Sequence, residues 1–173
     1  MLTITICTIG ERIRRVEQVV LPQIRSDVRY IISWQGSDKI KLPENLERGD
    51  ITIVNHSGVG LSANRNYALS HVRTPYAVIA DDDVRFNDED ITGVINLISQ
   101  HPEVDVFCFR IKLKNGHYFK DYPAVSYDYR HQPRGAYVSS CEMVLHVDKN
   151  LPSFDINYGL GAPVLRCGEE EIF

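Results

Sequence analysis

The sequence predicts an α/β domain, a three-layer α/β/α sandwich around a mostly parallel central sheet. Two observations carry that expectation. Strand patterns alternate with helix-length stretches from the first residues onward. Glycine-rich turns and acidic residues then gather where those strands end, the edge at which open parallel sheets bind ligands.

Thr3 to Thr8 alternates β-branched residues and reads as the first strand, followed by an amphipathic stretch from about Glu11 to Ile24. Val28 to Trp34 (VRYIISW) is a second, buried strand closing on the turn composition Gln35-Gly36-Ser37-Asp38. Ile51 to Asn55 is a third strand, and His56-Ser57-Gly58-Val59-Gly60 a glycine-rich turn. Helical spacing runs from Leu61 to Val72, through Ala68 and Leu69. Tyr76 to Ala80 is a fourth strand that leads straight into Asp81-Asp82-Asp83. A helix over Asp90 to Gln100 and a fifth strand over Val104 to Ile111 complete the regular part. Gly116 to Gly135 reads as loops or an inserted hairpin, Ala136 to Val147 as a further strand or bend, and Phe154 to Gly168 as a glycine-rich loop. No repeat, low-complexity tract or linker divides the chain, so one domain is expected over residues 1–173.

Composition removes several function classes. Hydrophobic residues at 43% and charged residues at 24% exclude a disordered chain. Lys plus Arg total 19 against 23 for Asp plus Glu, a net charge of -4 that offers no overall attraction for nucleic acid. No apolar run approaches the roughly 18 to 20 residues that span a bilayer. Met1 to Ile6 lacks the basic start and cleavage site of a signal peptide. Cys7, Cys108, Cys141 and Cys167 lie far apart without a Cys-x-x-Cys pair, which suggests packing roles in a reducing compartment. A cytoplasmic protein is expected, with peripheral contact at the inner face of the membrane left open.

Among the strand-end features the acidic triplet is the strongest. Three adjacent carboxylates repel one another and call for a compensating cation. Strand alternation would put Asp81 and Asp83 on one side and Asp82 on the other. Such hard oxygen donors suit Mg2+ or Mn2+, with positions left for water and phosphate oxygens. A solvated turn is the plainer reading of the same residues. Glycines before Leu61, Gly60 among them, would let backbone N–H groups approach an anion at a helix start; a plain strand-to-helix turn is the alternative.

The runs GVGLSANRNYAL, YAVIADDDVRF and FDINYGLGAPVLRCGEEEIF together resemble the family 2 glycosyltransferases of the GT-A fold. That resemblance implies an inverting transferase using a nucleotide-diphosphate sugar, a UDP-sugar first among them, and a divalent metal, Mn2+ or Mg2+. It implies that Asp81, Asp82 and Asp83 contact the donor, with Asp81 and Asp83 holding the metal. Arg65 would contact the nucleotide, and Thr8, Ile9, Gly10, Glu11 and Arg12 would line the base and ribose. Glu169 and Glu170 would supply the general base, Glu170 by preference, taking the proton of an acceptor hydroxyl on a glycan or lipid-linked sugar. Acids at a helix start are the bland reading of Glu169 to Glu171. Where the family has a base-contacting aspartate after the second strand, this chain has Trp34 or Gln35, with Asp38 further along the same turn. The chain stops at Phe173, just after the acidic pair, which reads as a truncated or a short natural form.

Two rival readings stand beside it. Gly58-Val59-Gly60-Leu61-Ser62-Ala63 fits the G-x-G-x-x-A fingerprint of NAD(P)-dependent oxidoreductases, with Asp81 about 20 residues on. A non-catalytic nucleotide-sugar or carbohydrate-binding module is the other. Tyr118, Tyr122, Tyr127, Tyr129 and Tyr137 could stack on acceptor sugars or simply pack a long loop.

Overall fold

A computed structural model describes residues 1–36, 39–170 and 173. In chain order it contains β1 (Leu2–Ile9), a 3-10 helix (Gly10–Gln18), β2 (Val28–Gln35), a 3-10 turn (Glu44–Leu46), β3 (Ile51–Asn55) and α1 (Leu61–Ser70). Then come β4 (Tyr76–Asp81), α2 (Asp88–Gln100), β5 (Val106–Cys108), 3-10 turns at Tyr129–His131 and Ser140–Glu142, and β6 (Met143–His146). The six strands form one sheet in the order β3-β2-β1-β4-β6-β5. β3, β2, β1 and β4 are parallel neighbours, while β6 runs antiparallel to both β4 and β5. The mostly parallel α/β sheet that the sequence predicts is therefore present.

Strand alternation builds the two faces. Leu2, Ile4 and Ile6 of β1 and Tyr30, Ile32 and Trp34 of β2 enter one core with Ile13 and Val16 of the first 3-10 helix and Ile91 and Ile98 of α2. Cys7, Ile31 and Ala77 point the other way, onto Ala68 of α1 and Val72, two residues beyond its end. Leu2, Ile4, Ile6, Ile13 and Ile32 are wholly buried, and each such side chain contributes about 1.5–3 kcal/mol over exposure. α2 begins two residues before the predicted Asp90. Asn87 caps it by accepting from the Asp90 N–H at 2.8 Å, and Asp90 returns a bond from the Asn87 N–H at 3.1 Å.

Three expectations need correcting. The stretch from Glu11 to Ile24 is a 3-10 helix that ends at Gln18, not a longer helix; Pro22 lacks the N–H that a continuing helix would use. The fifth strand shortens from Val104–Ile111 to Val106–Cys108, because only three residues find partners on β6 before the Phe109 N–H turns to the Glu142 carbonyl. β4 ends at Asp81, and the Val84 N–H closes a turn onto its carbonyl, so strand alternation does not extend through Asp83. Among the described residues no helix is long and apolar enough to cross a membrane.

Candidate functional site

β1, β2, β3 and β4 all finish at one edge of the sheet, which brings Ile9, Gln35, Asn55 and Asp81 to a common rim. Asp82 turns inward from this rim and is almost wholly buried. It accepts from the Thr8 hydroxyl at 2.8 Å and from Arg12 Nε at 2.9 and 3.1 Å, with Arg12 Nη2 also paired to it. Asp81 faces Arg65, whose Nη2 lies 3.3 Å from its Oδ1. Burial pushes the Asp81 pKa up, and the arginine opposes that rise. Asp83 stands exposed. The repulsion within the triplet is thus offset by two guanidinium groups of the chain itself.

The other predicted donor-side residues are divided between the rim and the interior. Thr8 is buried against Asp82, whereas Ile9 is exposed beside it. Gly10 adopts a positive φ of 52° and its carbonyl accepts from the Trp34 indole N–H at 3.0 Å. Glu11 points to solvent and pairs with Arg14 at 3.0 Å. Trp34 is packed in the core, and its ring leaves no room for a side chain at Gly36. Gln35 donates to the Gly58 carbonyl at 2.6 Å. Asp38 lies outside the described residues.

α1 presents a row of polar side chains to the segment from Phe154 to Glu169. The Leu61 N–H donates to the Leu160 carbonyl at 2.8 Å and the Ser62 hydroxyl to the Tyr158 carbonyl at 2.7 Å. Asn66 exchanges two bonds with the Phe154 backbone, at 2.8 and 2.9 Å. Arg65 Nη1 reaches Glu169 Oε1 at 2.8 Å. Gly60 and Gly161 meet backbone to backbone; a Cβ on Gly161 would come within 3.2 Å of the Gly60 Cα. The start of α1, expected as an open anion cradle, therefore spends its Leu61 N–H on this segment. The NAD(P) fingerprint reading loses the open helix start on which it depends.

Arg65 is 3% exposed and sits between Asp81 and Glu169, with its guanidinium carbon 5.6 Å from the Phe154 ring centre. The structure thus joins the arginine, the strand-end aspartate and the first distal glutamate. Glu170 is held separately: its Oε1 accepts from the Ser140 N–H at 3.1 Å and the Ser140 hydroxyl at 2.9 Å. Nothing in the sequence marks Ser140, because a lone serine before a strand has no distinctive spacing. Glu171 lies outside the described residues.

The tyrosine-rich segment is anchored beside these residues. Glu142, 4% exposed, accepts from Lys120 Nζ at 2.8 Å, from the Tyr122 hydroxyl at 2.5 Å and from the Ser139 N–H at 3.0 Å. Lys120 stands 3.9 Å from the Tyr137 ring centre. Tyr122 and Lys120 therefore serve packing, while Tyr118, Tyr129 and Tyr137 remain largely exposed.

The sequence matches the model of Glycosyl transferase family 2 over residues 3–145. No curated protein matches it. Among solved structures, S. aureus TarS 1-349 aligns with a TM-score of 0.62 at 16% identity, over 85% of this chain and 47% of that one. The same protein in complex with UDP aligns with a TM-score of 0.61 at 15% identity, over 85% and 47% of the two chains. Its complex with UDP-GlcNAc gives 0.53 at 14% identity, over 84% and 45%. The chain spans about half the length of these structures, and at such identities the likeness is one of fold. The match of the family model over most of the chain, on a GT-A-like sheet, establishes that this chain belongs to glycosyl transferase family 2.

Proposed function

We propose that the domain transfers a sugar from a nucleotide-diphosphate donor, a UDP-sugar, to an acceptor hydroxyl on a glycan or lipid-linked sugar, with inversion. Family membership supports glycosyl transfer, and the solved neighbours with UDP and UDP-GlcNAc favour a uridine donor. One observation carries the site. Two groups of acids from distant parts of the chain, Asp81–Asp83 and Glu169–Glu170, converge on one edge of the sheet, bridged by Arg65. The donor phosphates belong at the triplet, with Thr8 to Arg12 and Gln35 on the side of the base and ribose. A cytoplasmic setting, at the inner face of the membrane when the acceptor is lipid-linked, follows from that choice of donor and acceptor.

The metal fits the donor set in a restricted way. Asp83 is exposed and the Asp81 side chain is 36% exposed, which offers two carboxylates of the kind Mg2+ or Mn2+ takes together with substrate phosphates. Among the described residues no group of three or more His, Cys, Asp or Glu side chains could hold a metal unaided. When bound, the ion would stabilise the charge that grows on the departing diphosphate. The chain's own residues do the rest. Thr8 and Arg12 fix Asp82, so the triplet keeps its shape. Ser140 orients Glu170 through Oε1, which leaves Oε2 to take the acceptor proton.

The test is Glu170→Gln, which keeps size and shape but removes the basic oxygen. UDP affinity, measured by calorimetry with Mn2+, should stay near wild type while turnover falls by roughly 100- to 10,000-fold. Unchanged turnover in Glu170→Gln removes the assigned base. Donor binding without any transfer would favour the binding-module reading.

A further inference from the structure

The geometry points to Arg65 as a positioning residue for the acceptor-side acids, acting through Glu169, rather than as a ligand of the nucleotide. The inference rests on the reading of Glu169–Glu170 as the acceptor-side pair.

Arg65 occupies the middle of a buried charge row. Its two terminal nitrogens are committed to carboxylates on different parts of the fold, Glu169 at 2.8 Å and Asp81 at 3.3 Å. The Glu169 side chain is 8% exposed, so its charge has little solvent to turn to if the arginine leaves. Around that bond the segment from Phe154 to Leu165 is tied to α1 through uncharged backbone groups, the carbonyls of Phe154, Tyr158 and Leu160 and the Phe154 N–H, which fix its path and not its charge. The packing is close. A Cβ on Gly159 would meet the Ser62 hydroxyl at 2.9 Å and the Glu169 carboxyl carbon at 3.1 Å. Glu169 is held by Arg65 and packed close against Gly159, and Glu170, the next residue, accepts from Ser140. Among the described residues, Arg65 is the one side chain that pairs with both Glu169 and Asp81.

A lysine cannot replace it. The guanidinium fork serves two carboxylates at once, whereas an ammonium is a single point of charge on a shorter stem. Arg65→Lys should therefore leave Asp81 or Glu169 unserved and shift Glu170 from its place. Misplacement on the scale of 1 Å costs on the order of 100-fold in rate.

The experiment compares Arg65→Lys, Glu169→Gln and the double variant in three measurements: UDP affinity with Mn2+, steady-state transfer, and amide hydrogen exchange. Arg65→Lys should hold UDP affinity within about threefold of wild type while kcat falls about 100-fold. Exchange should quicken at the Leu61, Ala162 and Leu165 amides, whose bonds lie within or against the docked segment. Glu169→Gln, which cuts the same bond from the other side, should quicken the same amides. The double variant should lose less kcat than the product of the single losses. A loss of UDP affinity that matches the loss of kcat, with exchange unchanged, would overturn the inference and return Arg65 to the nucleotide. Wild-type kcat in Arg65→Lys would overturn it as well. If wild type transfers no sugar, the proposed reaction fails on its own account. Exchange still decides whether Arg65 holds the segment.

Discussion

Burial raises the pKa of Asp81 above its ordinary value of 3.8, and the Arg65 guanidinium offsets only part of that rise. A raised carboxyl pKa contributes stability that is fully present below the unfolded value and is lost as pH climbs through the folded value. Ionisation of Asp81 therefore weakens the fold. Asp81→Asn should melt higher relative to wild type, with a difference that widens as pH rises above the ordinary carboxyl value of 3.8. Thermal melts above that value check this; a gap that narrows with pH refutes it. Asp82 is buried with Thr8 and Arg12 as its partners. Arg12→Ala leaves that carboxylate with one hydroxyl. Because the arginine side chain is itself 44% exposed, the expected loss is about 1–3 kcal/mol by urea unfolding, less than for a wholly buried pair. Burial also pushes the Cys7 and Cys141 thiols up to about 12, so both stay protonated near neutral pH. Native protein treated with iodoacetamide should be modified at exposed Cys167 well before Cys7, as read by mass spectrometry.

Among the elements, β1 to β4 were legible because buried parallel strands read as apolar runs bounded by turn residues. β3 matches its predicted range, β2 and β4 run one residue longer at the C-terminal end, and β1 one residue longer at each end. β5 and β6 were less legible, since an antiparallel pair of three residues owes its existence to partners about 40 positions away. The triplet, Arg65 and the distal glutamates could be picked out by residue type and by likeness to the family. Their joining could not. It depends on the carbonyls of Tyr158 and Leu160, and a carbonyl carries no side-chain signature. Gly159 offers a test at this scale. Its φ of 95° and the nearness of Ser62 and Glu169 make Gly159→Ala strained in both backbone and space. A stability loss of about 1 kcal/mol or more is expected, with faster exchange from residues 155 to 165 and little change in UDP affinity.

Across the whole molecule, metal and nucleotide should bind as a linked pair. Asp81 and Asp83 would hold a divalent ion only weakly by themselves, since among the described residues no third ligating side chain joins them, and phosphate oxygens would supply the missing ligands. Calorimetry should find weak Mn2+ binding alone and much tighter binding with UDP present, and Asp83→Ala should abolish the enhancement while leaving the melting temperature near wild type. Mn2+ binding equally tight with and without UDP would contradict that linkage.

The reversed strand β6 carries a practical corollary for anyone labelling the protein. Because it runs against its neighbours, it begins near the rim that carries Asp81, just after Ser140–Glu142, and finishes at the opposite edge beside Tyr76. The exposed stretch Asp148–Asn150 follows at that opposite edge, away from the rim that carries Asp81. A fluorophore or short affinity tag inserted there would report on the domain without standing in the path of donor or acceptor.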